Sequence, residues 1–291
     1  MQIRQNPLFD AFRSTSRLQS IAARLSDAEL RAVTGVKVHA PSDAAGRWSS
    51  LHGLASGVAD QAVWKEGADR AQNVLDAAES TLASAASTVQ QAMERAVQLS
   101  SESYGTEERT AAAAEIRAIR ETLVGLGNTK IGDRSLFAGD AYDGEAFAAD
   151  GSYVGGAASQ AIRIGASDEV VVAIDGSAAF GGDVFAALDD LEAALTADDA
   201  AGVGATIDRL DAAHAQLVSS RSELGFRQVR VDDARAVAES MAALLDGQLS
   251  EAVAADPVEA FSAFAALQTS YEAALQITGS GSGSKLFDFL K

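Results

Sequence analysis

The sequence predicts a mainly α-helical protein with a small inserted β domain, in which the N- and C-terminal halves form an elongated antiparallel helical bundle or coiled coil. Three observations lead to this fold class. Apolar heptad patterns stand on both sides of one glycine-rich stretch. Proline occurs only at Pro7, Pro41 and Pro257, so residues 42–256 are free of its helix-breaking effect. Ten of the 25 glycines lie in residues 132–182, which marks the insert.

The N-terminal half contains three helical patterns. The first is expected to end near Thr34-Gly35, ahead of a loop at residues 39–43. The second runs from Ala71 to Leu99, and the third begins after a break at residues 103–106. Two helices with so short a connection predict a helical hairpin. The seam positions are Leu75, Ala78, Leu82, Ala85, Val89, Ala92, Ala96 and Leu99 on one helix and Ala112, Ile116, Ile119, Leu123 and Leu126 on the other.

The glycine-rich insert contains three short runs that favour β-strands, at residues 152–154, 161–164 and 170–174. Their spacing of about ten residues is typical of an antiparallel meander with tight turns. The insert is therefore predicted to be a small β module within a helical protein.

The C-terminal half resumes with a helix at Val184, and a long heptad pattern then runs from Val203 to Leu245. One position of this heptad is polar in several layers. Polar seam residues lower stability but fix the register and the choice of partner helix. We expect the residues at this position, His214, Arg221, Gln228 and Arg235, to set the register of the bundle.

Both ends of the chain are amphipathic, although chain termini are usually polar. The last helix is expected to start at Asp256-Pro257, and the Gly-Ser run at residues 279–284 to be a flexible break in it. The apolar residues either dock within one chain or become ordered against other copies or a partner, and the two interpretations are compatible. The predicted assembly interface comprises Phe12, Leu18, Ile21, Leu25, Phe261, Phe264, Leu267, Tyr271, Leu286, Phe287 and Phe289.

The net charge of −18 argues against a nucleic-acid partner, because phosphate binding needs clustered basic residues. No apolar run has the length of a membrane span or of a signal peptide, so a membrane partner is not expected, and any export would proceed without a cleaved signal. The absence of cysteine excludes disulfides and thiolate metal sites.

No constellation of residues predicts catalysis, a cofactor or a metal site. The three histidines, His39, His52 and His214, are scattered without ligand spacing. Adjacent acids, as at residues 189–190, 198–199 and 232–233, point about 100° apart on a helix and are expected to be solvated. An enzyme is therefore the weakest of the functional alternatives.

Two segments resemble bacterial flagellins and flagellar hook-associated proteins. Residues 34–46, which read TGVKVHAPSDAAG, are similar to the Ser-Gly-Lys-Arg-Ile-Asn-x-Pro-Ser-Asp-Asp segment of that superfamily. Residues 89–98, VQQAMERAVQ, are similar to its Leu-Gln-Arg-x-Arg-Glu-Leu-Ala-Val-Gln stretch. The resemblance covers essentially the whole chain. Residues 128–139, NTKIGDRSLFAG, and the ending KLFDFL are more similar to the hook-filament junction branch than to flagellins.

The resemblance implies a non-enzymatic structural protein of the bacterial flagellum, a motility organelle. Its expected partners are other copies of itself in a ring, the hook-side junction protein, flagellin, an export chaperone and the flagellar secretion apparatus. The protein would leave the cell unfolded by type III export and lie extracellularly, at the junction between hook and filament. A flagellin is the first alternative, and a coiled-coil signalling or adaptor protein is the second.

The resemblance and the heptad patterns together predict five segments. Residues 1–40 and 251–291 are expected to supply the two helices of an inner assembly domain. Residues 41–131 and 184–250 are expected to form the two halves of the helical bundle, and residues 132–183 a small β-rich outer domain.

Overall fold

The computed structural model describes residues 7–141, 143–157, 160–181 and 183–288, with side chains from residue 12 to residue 278 within those ranges. It divides into two compact units. One extends from Ala59 to Ala242, and the other combines Met1–Val58 with Ala243–Lys291. We call them the bundle unit and the terminal unit. Helices account for 74 % of the structure, which confirms the predicted mainly α class.

Seven α-helices and four short strands are present in the described chain. The helices are α1 Pro7–Thr34, α2 Trp48–Leu99, α3 Thr106–Gly127, α4 Gly176–Phe180, α5 Val184–Thr196, α6 Ala200–Val253 and α7 Pro257–Asp288, with a 3₁₀ turn at Pro41–Ala44. The strands are β1 Lys130–Ile131, β2 Arg134–Ser135, β3 Ala161–Arg163 and β4 Glu169–Val171.

Most predicted helix ends are confirmed. Gly35 follows α1 with φ of +68° and donates its N–H to Arg31, as a left-handed C-terminal glycine does. Asp256 caps α7 by accepting from the N–H of Val258 at 2.8 Å. The expected break at the Gly-Ser run is wrong, because α7 continues to Asp288. Glycine lowers helix propensity but, unlike proline, keeps the backbone donor that continues the helix.

The bundle unit has a continuous apolar core contributed by α2, α3, α5 and α6. All predicted seam residues of α2 are buried, and so are those of α3 except Leu126, which is half-buried. Ion pairs link each helix to its neighbours, which gives the cyclic order α2, α3, α5, α6. The pairs are Arg95–Glu115, Arg117–Glu192, Arg120–Asp189, Arg209–Asp183, Arg209–Asp190 and Arg221–Glu79. Asp189 and Asp190 are exposed, as expected of solvated acids, and each also forms an ion pair.

The β region forms two separate hairpins in the described chain, so the predicted single meander is wrong. β1 pairs with β2 and β3 pairs with β4, both antiparallel, whereas Tyr153 forms only an isolated bridge with Phe147. Gly132 opens the two-residue turn between β1 and β2 with φ of +59°, a conformation that glycine adopts without strain. Five aromatic rings contact one another in a cluster that consists of Phe137, Phe147, Tyr153, Phe180 and Phe185.

Candidate assembly surfaces

In the terminal unit, α1 and α7 pack against each other in antiparallel orientation. The N-terminal part of α1, at Leu18 and Ile21, lines one groove of about 370 Å³ together with Ala274 and Ile277 near the far end of α7. The predicted interface residues supply this seam. Half-buried positions include Leu18, Ile21 and Leu25 on α1 and Phe264, Leu267 and Tyr271 on α7.

The α1–α7 pair leaves much of its apolar surface uncovered. Phe12 is 80 % exposed and Phe261 58 %, and both belong to the predicted interface. Val33, Val258 and Ile277 are also exposed. Soluble helices normally cover such side chains, so these faces are suited to further packing. Of the remaining predicted residues, Leu286 and Phe287 lie in the part of α7 without described side chains, and Phe289 lies outside the described residues.

A short backbone crossing joins the chain after α1 to the junction between α6 and α7. The N–H of Lys37 donates to the carbonyl of Val253, and the N–H of Ala255 donates to that of Gly35, both at 2.8 Å. In the loop that follows, the N–H groups of His39 and Ala40 each donate to Asp43 at 3.0 Å. These bonds to the ionised carboxylate hold the pKa of Asp43 below its usual range.

A ladder of polar pairs joins α6 to α2 in the bundle unit and includes three of the four predicted register residues. Residue numbers fall along α6 as they rise along α2, so the two helices are antiparallel; the first three pairs step equally, and the fourth is offset by about one helical turn. The pairs are Glu239–Lys65 at 3.1 Å, Arg235–Asp69 at 3.7 Å, Gln228–Asp76 at 2.8 Å and Arg221–Glu79 at 2.7 Å.

These polar residues lie beside the apolar seam and not within it. Arg221, Gln228 and Arg235 are half-buried, so their charges and dipoles reach α2 while part of each side chain stays in water. His214 is also half-buried, but the ladder does not extend to it. At its level the buried positions of α6 are Leu210, Ala213 and Leu217.

Arg109 forms a clip at one end of the bundle that the heptad pattern did not predict. Its buried guanidinium donates to the carbonyls of Leu99 and Ser101, at 3.2 and 2.9 Å, and forms an ion pair with Asp198. It thereby joins the α2–α3 turn to the α5–α6 turn. Arg109 and Thr106 both donate to the Asp198 carboxylate and hold its pKa below the usual range. The signal in the sequence is an arginine at an apolar heptad position of α3. Asp198 is exposed, as expected, and its ion pair with Arg109 is an additional contact.

Residues 128–139, which resemble the junction branch, hold the β region in place through hydrogen bonds and buried side chains. The Asn128 side chain donates to the carbonyl of Phe147 at 2.8 Å and accepts from the N–H groups of Ala146 and Phe147. Leu136, Phe137 and Ala138 are buried. The segment therefore anchors the β region to the end of α3. The sequence could not reveal this clamp, because its partners lie about twenty residues further along the chain.

In the described parts of the chain, no group of three or more histidine, cysteine or acidic side chains is arranged to hold a metal ion. None of the described helices combines the length and apolar character needed to span a bilayer.

Both ends of the chain match models of one protein family. The model of the bacterial flagellin N-terminal helical region matches residues 6–141, and the model of the bacterial flagellin C-terminal helical region matches residues 207–281. The two matches therefore include α1 to α3 and most of α6 and α7.

Individual proteins are similar over most of the chain. Flagellar hook-associated protein 3 of Escherichia coli is 26 % identical over 286 residues, which cover 89 % of this chain and 90 % of the relative. A Vibrio parahaemolyticus structure described as a flagellar hook-associated protein superposes with a TM-score of 0.67 at 17 % identity, over 73 % of this chain and all of the other. The flagellar junction protein FlgL of Legionella pneumophila gives 0.59 at 13 % identity, over 68 % and 98 %. At these identities the two structures support the fold.

Proposed function

This chain belongs to the bacterial flagellin superfamily, and on that premise we propose that it is a structural, non-enzymatic subunit of the flagellum at the junction between hook and filament. One observation carries the proposal. The similarity to a relative named flagellar hook-associated protein 3 extends over 89 % of this chain and so includes the β region, where the flagellin models do not match beyond residue 141.

The terminal unit supports a role in assembly. Its α1–α7 pair presents Phe12 and Phe261 to solvent and leaves the Leu18, Phe264 and Leu267 seam only half-buried. Burial of this surface against other copies is the main available driving force for polymerisation, because apolar area contributes about 25 cal/mol per Å² removed from water. The predicted interface residues would therefore become fully buried on assembly.

The bundle unit would supply the rigid body of the subunit. The ladder of Arg221, Gln228 and Arg235 against α2 would fix the register in which the two halves of the chain pair. His214 would add one further polar position on the same helix. A fixed register matters because each subunit must present the same outer surface to its neighbours.

The partners follow from the proposed position. The subunit would form a ring of its own copies, with the hook-side junction protein on one side and flagellin on the other. It would be exported unfolded, with a chaperone and the flagellar secretion apparatus, and would lie outside the cell. The low aromatic content of 6 % and the absence of cysteine are compatible with passage as an unfolded chain.

The proposal is tested by truncating residues 251–291, which removes α7. Because the bundle unit ends at Ala242, we expect its circular dichroism and thermal transition to persist, while the truncated protein is absent from purified flagella. Cells that carry only this version should bear hooks without filaments. Normal filaments on such cells would contradict the proposal, and so would the absence of the full-length chain from sheared flagella.

Flagellin itself is the second candidate, because the matching family models are those of flagellin ends. The two candidates differ in the extent of self-assembly. A flagellin added to filament seeds extends them into long fibres, whereas a junction protein adds no more than a terminal ring. Electron microscopy of seeds incubated with the purified chain separates the two.

A further inference from the structure

The outer side of α6 carries large apolar side chains that the described chain leaves uncovered. Phe226 is 78 % exposed, Val229 60 % and Val237 62 %, and we call these three residues the α6 stripe. At about 100° per residue, Phe226 lies about 180° around the helix from Arg235, and Val237 lies about 180° from Gln228. Arg235 and Gln228 both contact α2. Phe226 and Val237 therefore point away from α2, Val229 lies about 100° around the helix from Gln228, and Val237 also borders a groove lined by Gln61 and Trp64 of α2.

A second exposed surface lies on the outer side of α2. Val63 is 60 % exposed and lies about 200° around the helix from Lys65, which pairs with α6. Glu66 and Arg70 follow on the same side and form a largely exposed ion pair with each other. We call Val63, Glu66 and Arg70 the α2 outer face. Since α2 and α6 are neighbours and each surface is turned mainly away from the other helix, the two surfaces lie on opposite sides of this helix pair.

We propose that the α6 stripe of one copy of this chain docks on the α2 outer face of the next copy. The inference rests on the proposed function, in which many copies assemble, and it names the surfaces through which neighbouring bundle units meet. Because the two surfaces differ, the contact is heterologous. Such contacts repeat from copy to copy into a ring or a helix, whereas a self-complementary patch closes as a two-fold dimer.

The ladder between α2 and α6 gives the relative heights of the two surfaces. Since Asp69 pairs with Arg235 in an antiparallel register, Arg70 lies level with residue 234, next to Asp233. Asp233 is exposed, lies one turn from both Val229 and Val237, and has no ion-pair partner within the described residues. If a second copy lies alongside the first with no shift along the helix axis, Asp233 of one copy therefore lies opposite Arg70 of the other. This charge complementarity favours a second copy over an unrelated apolar partner.

The apolar residues agree with the same register. Val63 lies about four residues, or about 6 Å, from the height of Val237, which is within reach of side-chain packing. At the height of Phe226, α2 carries the small residues Ala77 and Ser80, which leave room for the phenyl ring. An exposed phenylalanine that enters a space between small side chains is a typical anchor of a protein interface.

Disulfide trapping in assembled flagella tests the proposal, because the chain contains no cysteine of its own. The full chain with Glu66→Cys and Val237→Cys, which lie within about one residue in height, replaces the native protein in cells, and the flagella are purified, oxidised and run on a non-reducing gel. We expect a ladder of linked oligomers from the double variant and only monomer from each single variant. As a matched control, Val97→Cys with Val237→Cys should give monomer, because Val97 is also exposed on α2 but lies about 50 Å further along it.

Each outcome has one interpretation. Dimers from Val237→Cys alone would mean that two stripes meet face to face, which overturns the head-to-tail contact. Monomer from the double variant, with the protein present in the flagella, would overturn the proposal while leaving the proposed function intact. Absence of the cysteine-free chain from flagella would instead refute the proposed function, and this inference with it.

A charge exchange provides an independent variant. Asp233→Arg or Arg70→Asp alone places like charges opposite each other, so we expect loss of swimming in soft agar. The double exchange, Asp233→Arg with Arg70→Asp, restores the opposite charges and should recover swimming. Asp211→Arg makes the same charge change on an exposed part of α6 outside the stripe and should leave swimming unchanged. Failure of the double exchange to recover, with a normal Asp211→Arg control, would overturn the proposal.

Discussion

The bundle unit and the terminal unit are built from the same heptad chemistry but differ in how completely they bury it. In the bundle, Leu75, Leu82, Leu188 and Leu210 are fully buried, because four helices enclose one core. In the terminal unit, the equivalent positions of α1 and α7 are only half-buried. Two helices cover one face of each other and leave the remaining faces to solvent. The bundle therefore encloses its apolar core within one chain, whereas the terminal pair leaves apolar side chains exposed to solvent.

The comparison is tested most strongly by matched leucine truncations. Leu82→Ala in the bundle should lower the free energy of unfolding by about 3–5 kcal/mol, because it removes a fully buried side chain and leaves a cavity. Leu267→Ala in α7 should cost about 1 kcal/mol, since this side chain is already partly in water. Urea unfolding measures both. The two tryptophans, Trp48 in the terminal unit and Trp64 in the bundle unit, allow each unit to be followed after the other tryptophan is replaced by phenylalanine.

The order of the two effects should reverse when incorporation into flagella is measured instead of stability. Leu267→Ala is expected to be lost from purified flagella although its bundle unit remains folded, whereas the bundle of Leu82→Ala loses stability before assembly begins. Equal losses of unfolding free energy in the two variants would show that the terminal pair is already complete in the single chain, and the comparison would then fail.

The sequence predicted the seams of the bundle because heptad spacing is a local property. The steps of three and four from Leu75 to Leu99 identify the buried face of α2 without knowledge of its partners. The start of α2 at Trp48 was not predicted, although Leu51, Leu54 and Val58 already step by three and four, because the polar Gln61 interrupts the apolar stripe before Ala68. The β region was predicted as β structure but not as two hairpins, because strands of two or three residues carry little pattern.

Local patterns also located side chains that lie between neighbouring helices. Heptads identified Ile21 and Tyr271 as seam residues, and the polar position of α6 identified Arg221 and Arg235. The arginine at an apolar position of α3 was visible, but its partner Asp198 could not be derived, because the two residues are about ninety positions apart in the chain. Contacts of that kind depend on which helices are neighbours in the bundle. A single sequence does not reveal this order.

Two glycines of α2, one in each unit, differ in how closely other atoms pack against them. A Cβ at Gly67, in the bundle unit, would lie 2.2 Å from the carbonyl oxygen of Arg163, whereas a Cβ at Gly53, in the terminal unit, would meet nothing within 4 Å. Gly67→Ala should therefore cost about 1–3 kcal/mol of unfolding free energy, as overpacking does, and displace β3. Gly53→Ala should raise stability by about 0.5–1 kcal/mol through helix propensity. Chemical denaturation of both variants measures the difference.

Displacement of β3 is detected separately, through amide hydrogen exchange of Ala161–Arg163. These amides should exchange faster in Gly67→Ala and at the wild-type rate in Gly53→Ala. If Gly67→Ala were as stable as the wild type, the β3–β4 hairpin would not pack on α2 as closely as Gly67 indicates. The bundle unit would then be packed as loosely at this position as the terminal unit is at Gly53.

The smallest expected effect is a pH dependence. The pKa of Asp198, in the bundle, is held below its usual range by the Arg109 and Thr106 donors, and that of Asp43, in the terminal unit, by the backbone N–H groups of His39 and Ala40. A carboxylate with a lowered pKa in the folded state contributes stability that is fully present well above its unfolded pKa of about 3.9 and is lost as the pH falls through the folded pKa. Both contributions should therefore disappear between about pH 5 and pH 2.

The location of the two carboxylates decides what their loss does. Asp198→Asn keeps a residue that tolerates the positive φ of +57° at this position and removes only the charge. It should flatten the acid dependence of the bundle transition, followed by Trp64 fluorescence in a Trp48→Phe background, because the clip joins two helical hairpins. Asp43→Asn, which changes only hydrogen bonds within one loop, should leave that transition unchanged. If the two variants changed the acid dependence of the Trp64 transition equally, the Arg109–Asp198 clip would stabilise the bundle no more than the Asp43 hydrogen bonds do. The enclosed core alone would then distinguish the bundle unit from the terminal unit.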